Sequence, residues 1–217
     1  MKATYRSFGL FLLFAACHGS LTAASFSFAG SFVRDNDLQL FTFTLGAPGT
    51  VTLRTFGYGG GVNSNGVLIP AGGFVPVLGL FDSAGTAQSG PLQPGPHPTC
   101  PPLNPDPGRD NLCLDVFAQV PLAAGNYIVS LTQSANDPLG NLSDGFFFIN
   151  AVPDPNFNKG FLDPNTGLQG NANWALDIIG VTSATQVGGG VPEPATGVLV
   201  AAALLTAASG RLKRTRP

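Results

Sequence analysis

The sequence predicts an all-β protein: a single β-sandwich or jelly-roll-like domain of seven to eight strands, with a signal peptide before it and a transmembrane segment after it. Three observations carry this expectation. Gly and Pro supply 29 and 19 of the 217 residues, a composition that favours turns over helices. Short apolar and β-branched runs alternate with a period of two between turn residues. The acids are almost all Asp, eleven against a single Glu, and Asp belongs to turns and caps more than to charged helix faces.

Taken in order, residues 1–24 carry Lys2 and Arg6 ahead of an apolar run, residues 8–16, and end in small residues. That is the pattern of a secretory signal peptide, with cleavage after Ala24 and the small Thr22 three positions before the cut. A second reading is open, because Phe14-Ala15-Ala16-Cys17 looks like a lipobox that would place a lipid on Cys17. The domain then spans residues 25–184, about 160 residues, enough for a proper core. A first strand is expected over 26–33. Residues 38–45 (LQLFTFTL) put Phe41, Phe43 and Leu45 on one face, and residues 50–58 alternate Val51, Leu53 and Thr55 against Thr52, Arg54 and Phe56. Ala47-Pro48-Gly49-Thr50 between them suits a type II turn, so the two runs are expected to pair as a hairpin.

Residues 57–73 read as a Gly/Asn loop with little to bury. Residues 74–81 (FVPVLGLF) read as a third strand whose Pro76 argues for an edge or a bulge. Asp82-Ser83-Ala84-Gly85 turns the chain out. Eight prolines between Pro91 and Pro107 exclude regular structure from the excursion over 87–112. A second hairpin is expected from 114–120 and 126–133 across a turn at 121–125, and two further strands at 145–150 and 174–181, the last with Trp174, Leu176 and Ile178 facing inward.

The cysteines agree with export. Once Cys17 is removed, Cys100 and Cys113 remain, and in an oxidising compartment two such residues pair by default. The bond would close a loop of about 14 residues, worth about 3 kcal/mol in a chain-entropy treatment. Metal ligation is the competing reading, but it needs further partners, and His97 is the only histidine nearby.

Residues 185–190 (TQVGGG) form a Gly-rich spacer, and residues 191–217 a segment of another kind. Pro192-Glu193-Pro194 precedes an uncharged apolar run over 195–209, which is followed by Arg211, Lys213, Arg214 and Arg216. The run from 195 to 210 is about 16 residues, roughly 24 Å as a helix, and spans a bilayer with snorkelling ends. The basic cluster holds its own end cytoplasmic. This order of motif, apolar segment and basic tail resembles the PEP-CTERM sorting domain of Gram-negative bacteria that make extracellular polysaccharide. The resemblance implies that Pro192, Glu193 and Pro194 are the recognition site of an exosortase, which removes the tail. It also implies that the protein is anchored transiently in the inner membrane and then reaches the cell surface or extracellular matrix. An ordinary C-terminal anchor is the alternative. A second resemblance rests on TFGYGGGVNSNGVLIPAGGFVPVLGLFDSAGT, LAAGNYIVSLTQ and GNLSDGF, which look like a family of PEP-CTERM proteins whose domain is similar to the bacterial pre-peptidase C-terminal β-sandwich. Some of those sandwiches bind calcium or extracellular polymers.

Charge and chemistry narrow the function. Six of the ten basic residues lie at the two ends of the chain, which leaves Arg34, Arg54, Arg109 and Lys159 against the twelve acids from Asp35 to Glu193, a net charge of minus eight over residues 34–193. So acidic a domain disfavours nucleic acid as a partner. A hydrolytic triad lacks a histidine other than His97, which sits in the Pro-rich loop. Paired carboxylates are the remaining route to a hydrolase. The Gly57 to Gly61 run lacks the Lys-Ser/Thr ending of a phosphate loop and reads as a flexible turn. Asp35 and Asp37 before one strand and Asp144 before another offer oxygen ligands for Ca²⁺, although Asp at a strand entry ordinarily makes turns. No other cofactor is expected. Three classes follow: a non-enzymatic surface or matrix protein associated with extracellular polysaccharide; a carbohydrate- or calcium-binding module, with Phe56, Tyr58 and Trp174 as its aromatics; and an extracellular hydrolase.

Overall fold

Alternation decides which side chains turn inward, and the computed structural model puts that inward set between two antiparallel sheets. It describes residues 23–95, 114–147, 160–162, 167 and 169–188. The strands are β1 Ala24–Ser31, β2 Gln39–Leu45, β3 Gly49–Thr55, β4 Gly61–Val62, β5 Leu68–Ile69, β6 Pro76–Asp82, β7 Phe117–Leu122, β8 Gly125–Gln133, β9 Asn173–Val181 and β10 Ser183–Val187. One sheet has the order β1-β9-β3-β7, the other β10-β2-β8-β6, and β4 pairs with β5 alone. The only helical turn among the described residues is the 3-10 turn Leu142–Asp144. The protein is all-β.

One core lies between the two sheets. Phe41, Phe43, Leu78, Leu80, Val129 and Leu131 come from one sheet, and Val51, Leu53, Trp174, Leu176 and Ile178 from the other. The aromatic contacts tie them across the gap: Phe28 lies 5.0 Å from Phe41 between ring centroids, and Phe41 meets Trp174 edge-on at 5.7 Å. Full burial of such side chains contributes about 1.5–3 kcal/mol each. The expected inward face of Trp174, Leu176 and Ile178 is buried as read.

The pairing differs from the expected hairpins. β2 pairs with β8 and β10, whereas β3 pairs with β7 and β9. The Pro48-Gly49 turn therefore carries the chain across from one sheet to the other. The second expected hairpin fails in the same way, since β7 pairs with β3 and β8 with β2 and β6. The physical reason is that an arch between sheets buries the same alternating residues as a hairpin within one, and each strand here has better partners elsewhere. Pro121, expected in a turn, is part of the edge strand β7 opposite Thr50, where a missing N–H is tolerated.

Other expectations shift locally. Pro76 opens β6, an edge strand as anticipated, and the following segment covers that edge through Gln88 N to Leu80 O at 2.9 Å and Leu92 N to Leu78 O at 2.8 Å. Asp82 does turn the chain, its Oδ1 accepting the amides of Ala84 and Thr86 at 2.9 Å. The expected strand at 145–150 is reduced, within the described residues, to an isolated bridge between Phe146 and Pro138; residues 148–150 lie outside them. Residues 57–73 are no empty loop, because they contain the β4–β5 hairpin and the buried Tyr58. Thr185 to Val187, expected as spacer, belong to β10 and pair with Thr42 to Leu40.

Gly73 sits where three backbone segments meet closely. Its amide donates to Gly57 O at 2.7 Å, and a Cβ there would lie 2.4 Å from Asn173 O and 2.5 Å from Gly57 O. Both obstacles are backbone and cannot swing away. Gly73→Ala is expected to lower the melting temperature by about 10 °C, equivalent to about 3 kcal/mol for a domain of this size. A change of only a degree or two in a thermal melt would show that the three backbones separate freely.

Candidate functional site

Two buried carboxylates that the sequence reading did not single out organise the outer face of the β1-β9-β3-β7 sheet and its loops. Asp177 sits on β9 between inward-facing Leu176 and Ile178, so its side chain points away from the core, yet it is fully buried. Its Oδ1 accepts Ser27 Oγ at 2.6 Å. Its Oδ2 accepts Arg54 Nε at 2.9 Å, Ser64 N at 2.8 Å and Ser64 Oγ at 2.7 Å. The Arg54 guanidinium adds a second contact at 2.9 Å and lies 5.0 Å from the centroid of the Phe56 ring. The Asn63 turn that brings Ser64 down is held by its own side chain, whose Oδ1 accepts the amides of Asn65 and Val67.

Asp115, just before β7, is the other centre. Oδ1 accepts Thr55 Oγ1 at 2.8 Å and Tyr58 N at 3.2 Å, and Oδ2 accepts Gly59 N at 2.7 Å. The Gly57-Tyr58-Gly59 turn is thus a nest of backbone amides closed on a carboxylate, not the flexible turn expected. Burial pushes the Asp115 carboxyl above its ordinary value of 3.8, and the hydrogen bonds from Gly59, Thr55, Tyr58 and Gly57 pull it partly back. Both acids have their oxygens engaged by protein donors. They act as staples that fix the β4–β5 hairpin and the Gly turn against the sheet. The legible hints were a lone acid in the apolar run around Trp174 and a lone base in the run around Leu53.

Of the proposed calcium ligands, Asp35 is buried. Asp37 Oδ2 accepts the amides of Val33 and Arg34, both at 2.8 Å, and Asp144 Oδ2 accepts the amide of Asn141 at 2.7 Å. The last two therefore shape turns. Among the described residues, no three His, Cys, Asp or Glu side chains form a group able to hold a metal ion. Phe56, Tyr58 and Trp174 are buried at 1%, 1% and 4% exposure, so none presents a flat face to a sugar. A groove of about 130 Å³ runs along β6, between Gly79, Phe81, Ala87, Pro91 and Leu139, and no titratable side chain lines it.

Cys100, Cys113, His97 and the Pro192-Glu193-Pro194 motif lie outside the described residues. So do most of the N-terminal segment and the apolar run over 195–209; among the described residues no helix is long and apolar enough to cross a membrane. The last described strand ends at Val187, whose carbonyl accepts the Gln39 amide side chain. No family model matches the chain, and no curated protein matches it.

Proposed function

We propose that the chain is a non-enzymatic exported protein of the cell surface or extracellular matrix, associated with extracellular polysaccharide and processed by an exosortase at Pro192-Glu193-Pro194. Its body is a β-sandwich of the jelly-roll kind, and it resembles the pre-peptidase C-terminal domains. The observation that carries the reading is the order of the C-terminal segment: Pro-Glu-Pro, then an uncharged apolar run, then four basic residues. The strands of the two sheets run from Ala24 to Val187, and both apolar terminal runs lie outside the described residues. β1 begins where signal cleavage is expected, so processing at both ends would leave every strand but the first residue of β1 intact. Pro192 and Pro194 hold the motif extended, and each biases the residue before it away from helix.

Glu193→Ala tests the reading. Export and membrane insertion should persist while processing stops, so the variant accumulates as a larger membrane-bound form. Identical fractionation of wild type and variant, both retaining an epitope placed after Gly210, would show that the tail is an ordinary anchor.

A further inference from the structure

We infer that the turn between β1 and β2 is a membrane-contacting element: while the tail is still in the bilayer, Val33 and Arg34 rest on the phospholipid headgroups. The inference rests on the proposed membrane insertion of residues 195–209 and adds to it an orientation and a contact surface.

The orientation follows from where the body ends. β10 stays paired up to Val187 opposite Leu40, and the Gln39 side chain holds the Val187 carbonyl. From Val187 to Ala195 the chain advances eight residues, a reach of about 28 Å when fully extended. The headgroup layer takes about 6 Å of that, since a bilayer of about 30 Å hydrocarbon measures about 40–45 Å in all. The end of the body that carries Val187 is therefore tethered within about 22 Å of the headgroup layer. Gln39 opens β2, so the turn leading into it lies at that same end. The Ala47 turn, where β2 finishes, lies at the other end and points away.

The contact surface is built into the turn. Val33 is 89% exposed, more than any other large apolar side chain described. A valine so far out is normally left on a loose loop, but this one is fixed: Asp37 Oδ2 accepts both its amide and that of Arg34, and Asp37 N donates to Arg34 O at 3.1 Å. Phe32 just before it is buried and stacks on Phe74 at 5.1 Å. Asp35 just after it is buried as well. The turn thus presents one exposed apolar side chain and one exposed guanidinium, with Asn36 and Asp37 half-buried, and the exposed pair suits the boundary between acyl chains and phosphates. Val187, 40% exposed, adds apolar surface at the same end of the body.

The experiment uses the full chain, tail included, reconstituted into vesicles of phosphatidylethanolamine and phosphatidylglycerol that carry a nitroxide on the headgroup. Val33→Trp and Ala47→Trp are compared, each after subtraction of the Trp174 signal of wild type. Flotation is measured on the same samples. The expected result is flotation of all three proteins, with the added emission quenched at position 33 and unquenched at position 47. Flotation with equal quenching at both positions overturns the contact and leaves the anchor standing. Failure to float overturns the anchor reading and the contact with it. A blue shift at position 33 that is already present in detergent and grows with protein concentration would show a second copy covering the turn, and would also overturn the lipid assignment.

Discussion

Asp177→Ala is expected to destabilise the fold by about 3–5 kcal/mol, the range for removing one partner of a buried ion pair. The truncation strands a guanidinium whose side chain is only 17% exposed. It also removes the acceptor for Ser27 Oγ, Ser64 Oγ and the Ser64 amide. The bond from Arg54 to Ser64 Oγ at 3.2 Å and the contact of Arg54 with the Phe56 ring remain and soften the loss. In a urea titration with a slope of about 2 kcal/mol/M, the midpoint should fall by about 2 M. The double change Arg54→Met with Asp177→Leu should recover much of that, because two apolar side chains of similar volume leave no buried charge behind. A single-variant loss below about 1 kcal/mol would mean that Arg54 swings into solvent at little cost and that the pair staples nothing.

Asp115→Ala should cost about 3 kcal/mol, for a different reason. No cation faces the deleted group in its hydrogen bonds; what it strands are the Thr55 hydroxyl and the amides of Tyr58 and Gly59, all buried and all donors. Asp115→Asn should recover only part of the loss, since its carboxamide nitrogen would face another donor. The wild type carries a pH signature that Asn lacks. Because burial raises the folded-state value above 3.8, Asp115 contributes stability that is complete below that pH and is lost as pH rises through the raised value. Over the pH window that opens above 3.8, wild type should therefore lose stability relative to Asp115→Asn as pH rises. Parallel stability curves for the two proteins over that window would sink the assignment.

Much of this fold could be read from the sequence. Phe41, Phe43 and Leu45, Val51 and Leu53, and Trp174, Leu176 and Ile178 announce their inward faces by alternation, and Pro76 announces an edge. Partner choice could not be read. A period of two says which face a side chain takes, but an arch and a hairpin bury the same face, so the Pro48-Gly49 turn serves either. Asp177 illustrates a second limit. An acid on the outward face of a strand is ordinarily solvated, and here it is buried only because β4–β5 folds over it; strands of two residues are too short to leave a periodic signal. Asp115 depends on a Gly-Tyr-Gly turn whose amides become a cradle only in three dimensions. The order of Pro192-Glu193-Pro194, apolar run and basic residues is legible because its parts are adjacent in the chain, and the proposed sorting role rests on that order alone.

None of the eight strands in the two sheets pairs with its neighbour in the chain. Successive strands alternate between sheets from β1 through β2, β3, β6, β7, β8 and β9 to β10. The fold therefore has high contact order, and loop-closure entropy must be met before most contacts form. β3 finds its first sheet partner only when Phe117 is available opposite Arg54. β1 waits for β9, and the Ser27 to Asp177 bond closes a separation of 150 residues. A chain passing N-terminus first through a narrow pore would thus stay threadable until more than half of it had emerged, since among the described residues only the β4–β5 pair and the bridges of residues 87–92 along β6 form within its first half. Folding then comes late, once the far strands have arrived.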